Sequence, residues 1–271
     1  TLFNKELYTD FLGDVNQLYD LVETNKWTMD KLIEYCSAVY VDENGDGVKD
    51  SGDTFGCVTV GGVATSLTRT IGLTFDKTDS DGNLLFDIYN EQILGMVDKF
   101  YTLFWGGEAS YHGEWNYNTK GHFAEGRSLF YFHNLESYSS AEMRSMEVAY
   151  GIIPNPKLEE DMDYFSFSTP VVTVMPITVT EDRFEIAGAV LEKLAYEGYT
   201  NVIPTWYDIA MKDKHADEMR DADMIDIIFR TLQVTKFHNV FPAYFYYVVE
   251  EQVNSGNYSS YYESKRKAME L

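Results

Sequence analysis

The chain has 271 residues, 45% of them hydrophobic, and 44 acidic against 21 basic residues leave a net charge of −23. Length and apolar content supply a sizeable core, in one large domain or two smaller ones. A field of that sign repels phosphate backbones and anionic lipid surfaces, which excludes nucleic acid and peripheral membrane adsorption from the expected partners.

Apolar runs all fall well short of the roughly 20 residues that span a bilayer, and no basic start with an apolar stretch and cleavage site opens the chain. The abrupt beginning "TLFNKELYTDF" reads as a piece of a longer precursor. The two cysteines, Cys36 and Cys57, form no CxxC pair, so no zinc site is built from cysteine. They read as small buried apolar residues rather than a disulfide. The 21 tyrosines point to half-buried surfaces with polar tips, although most of them singly serve the core edge.

In chain order, "DVNQLYDLVETNK" predicts a helix with Val15, Leu18, Leu21 and Val22 on one face. "WTMDKLIEYCSAVY" predicts a second, N-capped by Thr28, with Asp30 in its first turn and Leu32, Ile33, Cys36 and Val39 buried. "FGCVTVGG" reads as a short strand ended by glycines. Residues 63–72 read as a short helix. "DKTDSDGNLLFD" reads as a hairpin turning at Asp81-Gly82, and "NEQILGMVDKFYTLFW" as an amphipathic helix. Residues 106–118 read as loop. "HFAEGRSLFYFHN" passes from helix to buried strand. "AEMRSMEVAYGIIPNPK" gives a short helix, a strand and a stop at Pro154 and Pro156. "YFSFSTPVVTVMPITVT" is strand-like, with Pro170 and Pro176 marking edges or crossovers. Helices are expected over about 181–199, 204–214, 217–232, 242–254 and 259–270, the first starting after Thr180. Strands alternate with helices early and helices cluster late, which predicts an α/β chain, α+β by content and rich in helix.

Between the second helix and the strand lies "DENGDGVKDSGD", with five carboxylates, one amide and three glycines in twelve positions. A twelve-residue calcium loop takes oxygens from positions 1, 3, 5, 7, 9 and 12 and needs Gly at 6. Those positions hold Asp42, Asn44, Asp46, the Val48 carbonyl, Asp50 and Asp53, with Gly47 at the turn. The usual final Glu is replaced by the shorter Asp53. With a strand rather than a helix following, the loop predicts a structural Ca²⁺ staple borrowed from an EF-hand, not a two-helix switch.

Several segments together resemble the extracellular solute-binding proteins of carbohydrate ABC importers, the maltose-binding-protein-like family. "LFNKEL" is similar to the stretch where such chains enter the second lobe, and "LYDLVETNKWTMDKL" to a helix entry of that lobe. "FAEGRSLFYF" fits the F-x-x-G-x-x-hydrophobic pattern, and "YGIIPNPK" a strand end. "VTVMPITVTEDRFEIAGAVLEKLAYEG" resembles the crossover strand and first-lobe helix, and "FPAYFYYVVEEQVNSGNYSSYYESKRKAMEL" the C-terminal helix pair. The resemblance covers nearly the whole chain and implies a periplasmic-binding-protein-like second lobe from 1–166 and 204–271, with 167–203 as hinge crossover and first-lobe segment. The family's opening lobe is missing, so the chain reads as a fragment, and its crossover strand leaves a homodimer as an expectation.

The resemblance also implies a cleft. It nominates His133, Asn134, Glu136 and Tyr138 in the loop after "FAEGRSLFYF", and Tyr244 and Tyr246 at a later helix start. The aromatic stretch with Trp105, Tyr111 and Trp115 and the loop Gly61 to Thr65 are further candidates. The implied function is non-catalytic binding of a sugar or oligosaccharide for an ABC transporter permease, at an extracellular or periplasmic location, with a membrane attachment only through a lipid anchor outside this chain. No Ser-His-Asp elbow, phosphate loop or HExxH motif is present, and the five histidines show no metal spacing. The alternatives are a calcium-stapled cell-surface interaction module and a glycoside-active enzyme.

Overall fold

A computed structural model of the chain describes residues 1–60, 67–73, 75–106, 110–114, 116–138, 140–168, 179–207, 219–233, 253 and 255–269. Its fold is a helix-rich α/β arrangement around an open mixed sheet.

The sheet comprises β1 (Leu2–Asn4), β2 (Tyr40–Val41), β3 (Thr54–Thr59), β6 (Ser110–His112), β7 (Ser128–Tyr131) and β8 (Tyr150–Ile152), in the order β2-β3-β7-β1-β8. β6 lies on the same edge of β3 as β2: β2 pairs with Thr54 and Phe55, β6 with Cys57 to Thr59. β3 runs parallel to β6 and β7, and β1 runs antiparallel to both β7 and β8. The carboxyl ends of β3, β6, β7 and β8 therefore reach one edge. A separate hairpin joins β4 (Asp76–Thr78) to β5 (Leu84–Phe86) through the expected Asp81-Gly82 turn, where Gly82 has φ +86°. β9 (Ser166–Phe167) pairs in parallel with β10 (Leu232–Gln233).

The helices begin where short polar caps precede apolar periodicity. Asn4 caps α1 (Lys5–Leu12) by accepting from the Glu6 and Leu7 amides. α2 (Asn16–Glu23) buries Leu18, Tyr19 and Val22. Thr28 caps α3 (Met29–Ser37), as its spacing predicts, and Asn90 caps α4 (Glu91–Tyr101). The chain continues through α5 (Thr119–Ala124), α6 (Leu135–Tyr138), α7 (Ala141–Arg144), α8 (Phe184–Glu197), α9 (Met219–Arg230) and α10 (Tyr258–Met269).

Three local expectations change. α3 ends at Ser37, and Tyr40 joins β2 instead, because a strand partner at Phe55 takes its backbone. Residues 106–118 contain β6, recruited by β3. β1 and α1 precede the first predicted helix. Residues 169–178 of the crossover, 208–214 of the helix expected at 204–214 and most of that at 242–254 lie outside the described residues. Among the described residues, no helix is long and apolar enough to cross a membrane.

One core runs from Leu2 to Tyr164 and takes Met224, Ile225, Ile228, Val253 and Tyr258 from the later chain. Trp27 sits within it, with its indole N–H donated to the Pro154 carbonyl at 3.1 Å. α8 contributes nothing: Ile186, Val190 and Leu194 stand 69%, 52% and 63% exposed.

α9 is held by a buried carboxylate. Asp221 accepts from Lys5 Nζ at 2.9 Å, the Tyr19 hydroxyl at 2.6 Å and the Ile152 amide at 3.1 Å. Removing it leaves an ammonium and two donors desolvated. Asp221→Ala should lower the unfolding free energy by about 3–5 kcal/mol, read as a reduced urea midpoint with unchanged slope; a loss below about 1 kcal/mol would show that water replaces the carboxylate.

Candidate functional site

In open α/β sheets, ligands bind beyond the carboxyl ends of the strands, where loops are free of the ladder. At that edge lie Val60 after β3, Gly113 after β6, Phe132 to Asn134 after β7 and Ile153 after β8.

The end of β7 carries the best-defined polar group. His133 is exposed and lies over Tyr131, with ring centroids 5.8 Å apart and planes 12° apart. Its Nδ1 is 2.9 Å from Asn134 Oδ1 and 2.6 Å from Ser137 Oγ, and the Ser137 hydroxyl also lies 3.1 Å from Asn134 Oδ1. Asn134 Oδ1 further accepts from the Ser137 amide at 3.2 Å, so it also orders the start of α6. Tyr131 is buried below, and burial pushes its phenol up to about 12. The result is a flat imidazole on a rigid aromatic floor, flanked by an amide and a hydroxyl. Ser137 carries no sequence signal for this role.

Trp105 is placed by the π-helical turn Thr102–Gly106 that ends α4. Its half-buried ring packs 5.1 Å from His112 at the end of β6 and edge-on to Phe104 at 5.8 Å. Phe104 in turn meets Phe132 at 6.1 Å, beside His133. Trp105 and His133 thus share the carboxyl edge through Phe104 and Phe132. Tyr111 does not join this group: it stacks on Phe55 at 5.4 Å and meets Tyr117, which makes it a packing residue. Glu136 and Tyr138 fall on α6, but their side chains lie outside the described residues, as do Trp115, Tyr244, Tyr246 and the loop Gly61 to Thr65.

His122 is a structural histidine. Its Nε2 lies 2.8 Å from the Arg127 carbonyl, which can only accept, so Nε2 carries the proton and Nδ1 accepts from the Tyr117 hydroxyl at 2.8 Å. Burial, then the Arg127 charge, lower it to about 4.

The acidic loop orders its own amides. Asp42 accepts from the Gly45 and Gly47 amides at 2.7 and 2.8 Å, Asn44 from Asp46 at 2.9 Å, Asp46 from Val48 at 2.7 Å and Asp50 from Gly52 at 2.6 Å. Gly45 and Gly47 adopt φ +72° and +73°, which favours glycine there. Asp53 is fully buried and accepts from the Glu43 amide, the Asp50 amide and the Tyr40 hydroxyl, each at 3.2 Å. Among the described residues, no three His, Cys, Asp or Glu side chains converge as a ready metal cluster. The bonded side-chain oxygens of Asp42, Asn44, Asp46 and Asp50 each keep a second lone pair for an ion, and Asp53 keeps one on Oδ1.

No protein-family model matches the chain, and no curated protein matches it.

The lowered His122 sets a pH response. Its folded value lies below the ordinary 6.5, so neutral His122 contributes stability fully above pH 6.5, lost as pH falls toward 4. His122→Gln should flatten that acid limb by about 2 kcal/mol between those limits. Urea midpoints from pH 7 to 4 check it; equal slopes in both proteins would place the proton elsewhere.

Proposed function

We propose that the chain is a ligand-binding lobe of an extracellular or periplasmic carbohydrate-binding protein, which delivers a sugar or oligosaccharide to an ABC transporter permease without catalysis. The observation that carries this reading is the His133–Asn134–Ser137 group at the carboxyl edge, with Trp105 along the same edge. A pyranose offers an apolar face and a belt of hydroxyls. Flat rings cover the first, and amide and hydroxyl groups take the second.

On this reading, residues 1–166 and 204–271 form one lobe, and 167–203 cross toward another. The exposed stripe of α8 supports the crossing, since an apolar helix face without a partner belongs against a second body. Paired lobes close over a ligand when closure adds contacts to it, and the permease recognises the closed form. Membrane attachment needs only a lipid anchor outside this chain. His133 is suited to donating or accepting hydrogen bonds from sugar hydroxyls. Its described contacts include no carboxylate to orient it as a base, and Asn134 shares the Ser137 hydroxyl.

Thermal shift and calorimetry against mono- and oligosaccharides test the reading. One saccharide class should raise the melting temperature saturably with no reducing ends released. His133→Ala and Trp105→Ala should each weaken that ligand about tenfold or more. Reducing-end release would make the protein glycoside-active. Silence across the panel with intact folding would leave a cell-surface interaction module.

A second reading concerns the loop Asp42–Asp53, where the orienting hydrogen bonds favour a structural Ca²⁺ site using Asp42, Asn44, Asp46, the Val48 carbonyl, Asp50 and Asp53. Calorimetry should record calcium binding that Asp42→Ala abolishes, and chelator should lower the melting temperature of the wild type. No heat and no change with chelator would leave a solvated acidic turn.

A further inference from the structure

Asn44-Gly45 is the single Asn-Gly peptide of the chain. Asparagine is thermolabile where the next backbone nitrogen can reach its side-chain carbon, and glycine, lacking a side chain, leaves that nitrogen uncovered. Both residues are exposed, and a Cβ built on Gly45 would meet nothing within 4 Å, so water reaches the peptide freely.

The contacts of the two residues suit an attack of the Gly45 nitrogen on the Asn44 side chain. Asn44 Oδ1 accepts from the Asp46 amide at 2.9 Å, which folds the side-chain amide back over the Gly45 peptide. The same N–H polarises the Asn44 carbonyl and stands beside the oxygen that gains charge during the attack. The Gly45 amide, which must lose its proton, donates it to Asp42 Oδ1 at 2.7 Å. Asn44 Nδ2, the leaving nitrogen, is held on Asp46 Oδ2 at 3.0 Å. Attacking atom, electrophile and leaving group are thus oriented before reaction.

We propose that Asn44-Gly45 is a self-modification site, at which the folded protein loses ammonia through a cyclic succinimide and becomes a mixture of aspartate and isoaspartate. The proposal rests on this peptide and its contacts and is independent of the sugar and calcium readings.

The Gly45 nitrogen forms a bond to Asn44 Cγ while its proton passes to Asp42 or to solvent, and the carbonyl electron pair moves to Oδ1. The carbonyl then re-forms, the Cγ–Nδ2 bond breaks, and the nitrogen takes up a proton and departs as ammonia. Water next adds to one of the two ring carbonyls and breaks its bond to the Gly45 nitrogen, which regains a proton. Opening at Cγ gives aspartate with the original main chain; opening at the backbone carbonyl gives isoaspartate. One water is consumed and one ammonia released, with no oxidant or reductant. Either outcome removes the Nδ2 donor from Asp46 and adds a negative charge beside it, and isoaspartate also lengthens the main chain by one carbon. The modification therefore loosens the loop between α3 and β3.

The test is incubation of the folded full chain at mildly alkaline pH, followed by digestion at mildly acidic pH and peptide mapping by mass. Asn44 should exchange its NH2 for OH at least about tenfold faster than every other asparagine of the chain. The product should resolve into aspartyl and isoaspartyl peptides, the latter accepting a methyl group from an isoaspartyl methyltransferase. The neighbouring Asp46-Gly47 rearranges without a change of mass, so the mass assigns the event to residue 44. Asn44→Gln, whose longer side chain closes the ring far more slowly, should lose the mass change at that position. An intact Asn44 in the folded chain while another asparagine reacts first, or loss of its amide in urea only, would overturn the proposal. The wild-type maps decide the question even if Asn44→Gln does not fold.

Discussion

The Asp221 carboxylate is the constraint on which the rest of the architecture depends. A buried carboxylate is tolerated only with a full set of donors. The three here come from α1, α2 and β8. They are separated from Asp221 by up to 216 residues of chain, so α9 can return to the core in one position only. The neighbouring Arg220 reinforces that seat from outside. It binds Asp20 at 2.6 Å and Glu23 at 2.9 Å and lies 5.0 Å over the Tyr19 ring. Those exposed ion pairs add little by themselves; they orient a helix that the buried carboxylate already fixes. The same carboxylate also takes the Ile152 amide of the terminal strand, which covers part of an edge otherwise open to pairing.

With β8 and β1 fixed, the position of the candidate site follows. β1 enters between β7 and β8 in the opposite sense, so β7 and β8 both point their carboxyl ends the same way as β3 and β6. Helix and turn residues then decorate that edge: Trp105 from the end of α4, His133 and Asn134 from the exit of β7, Ser137 from α6. Tyr131 below them is buried and stacked between Phe123 and His133. A rigid floor of this kind holds exposed groups in a fixed relation and lowers the ordering cost of a ligand that meets them.

Local signals were legible where the cause is local. Thr28 caps the helix its spacing announces, Asp81-Gly82 turns the hairpin, and "FAEGRSLFYF" passes from helix to buried strand. His133 and Asn134 after that strand are nominated by the resemblance alone, not by a local signal. The misses share a different cause. β1 and β6 are three-residue strands, too short to show a period, and partners far along the chain make them strands: Leu2 pairs with Tyr131 and Ile152, and Ser110 with Cys57. Asp221 reads as an ordinary first-turn acid of an amphipathic helix, and nothing adjacent in sequence reveals that it faces Lys5. The close approach of Cys36 in α3 to β3 depends on the missing side chain of Gly56, a feature that looks in sequence like the loosening of a strand.

The acidic loop shows how a short side chain can suit its place. A Glu at the last position of a calcium loop reaches out to an ion. Asp53 instead sits at the entry to β3, fully buried, and gathers the Glu43 and Asp50 amides and the Tyr40 hydroxyl. It therefore closes the loop by binding the loop's own donors, whether or not an ion is present. Asp42, Asn44 and Asp46 do the same around Gly45 and Gly47. A loop ordered in this way has already lost most of its conformational entropy, while the mutual repulsion of its carboxylates remains. A cation there would relieve repulsion in a preformed loop rather than drive a change of shape. That is the behaviour of a staple, and it places the loop's contribution in the stability of the α3–β3 junction, away from the carboxyl edge where His133 stands.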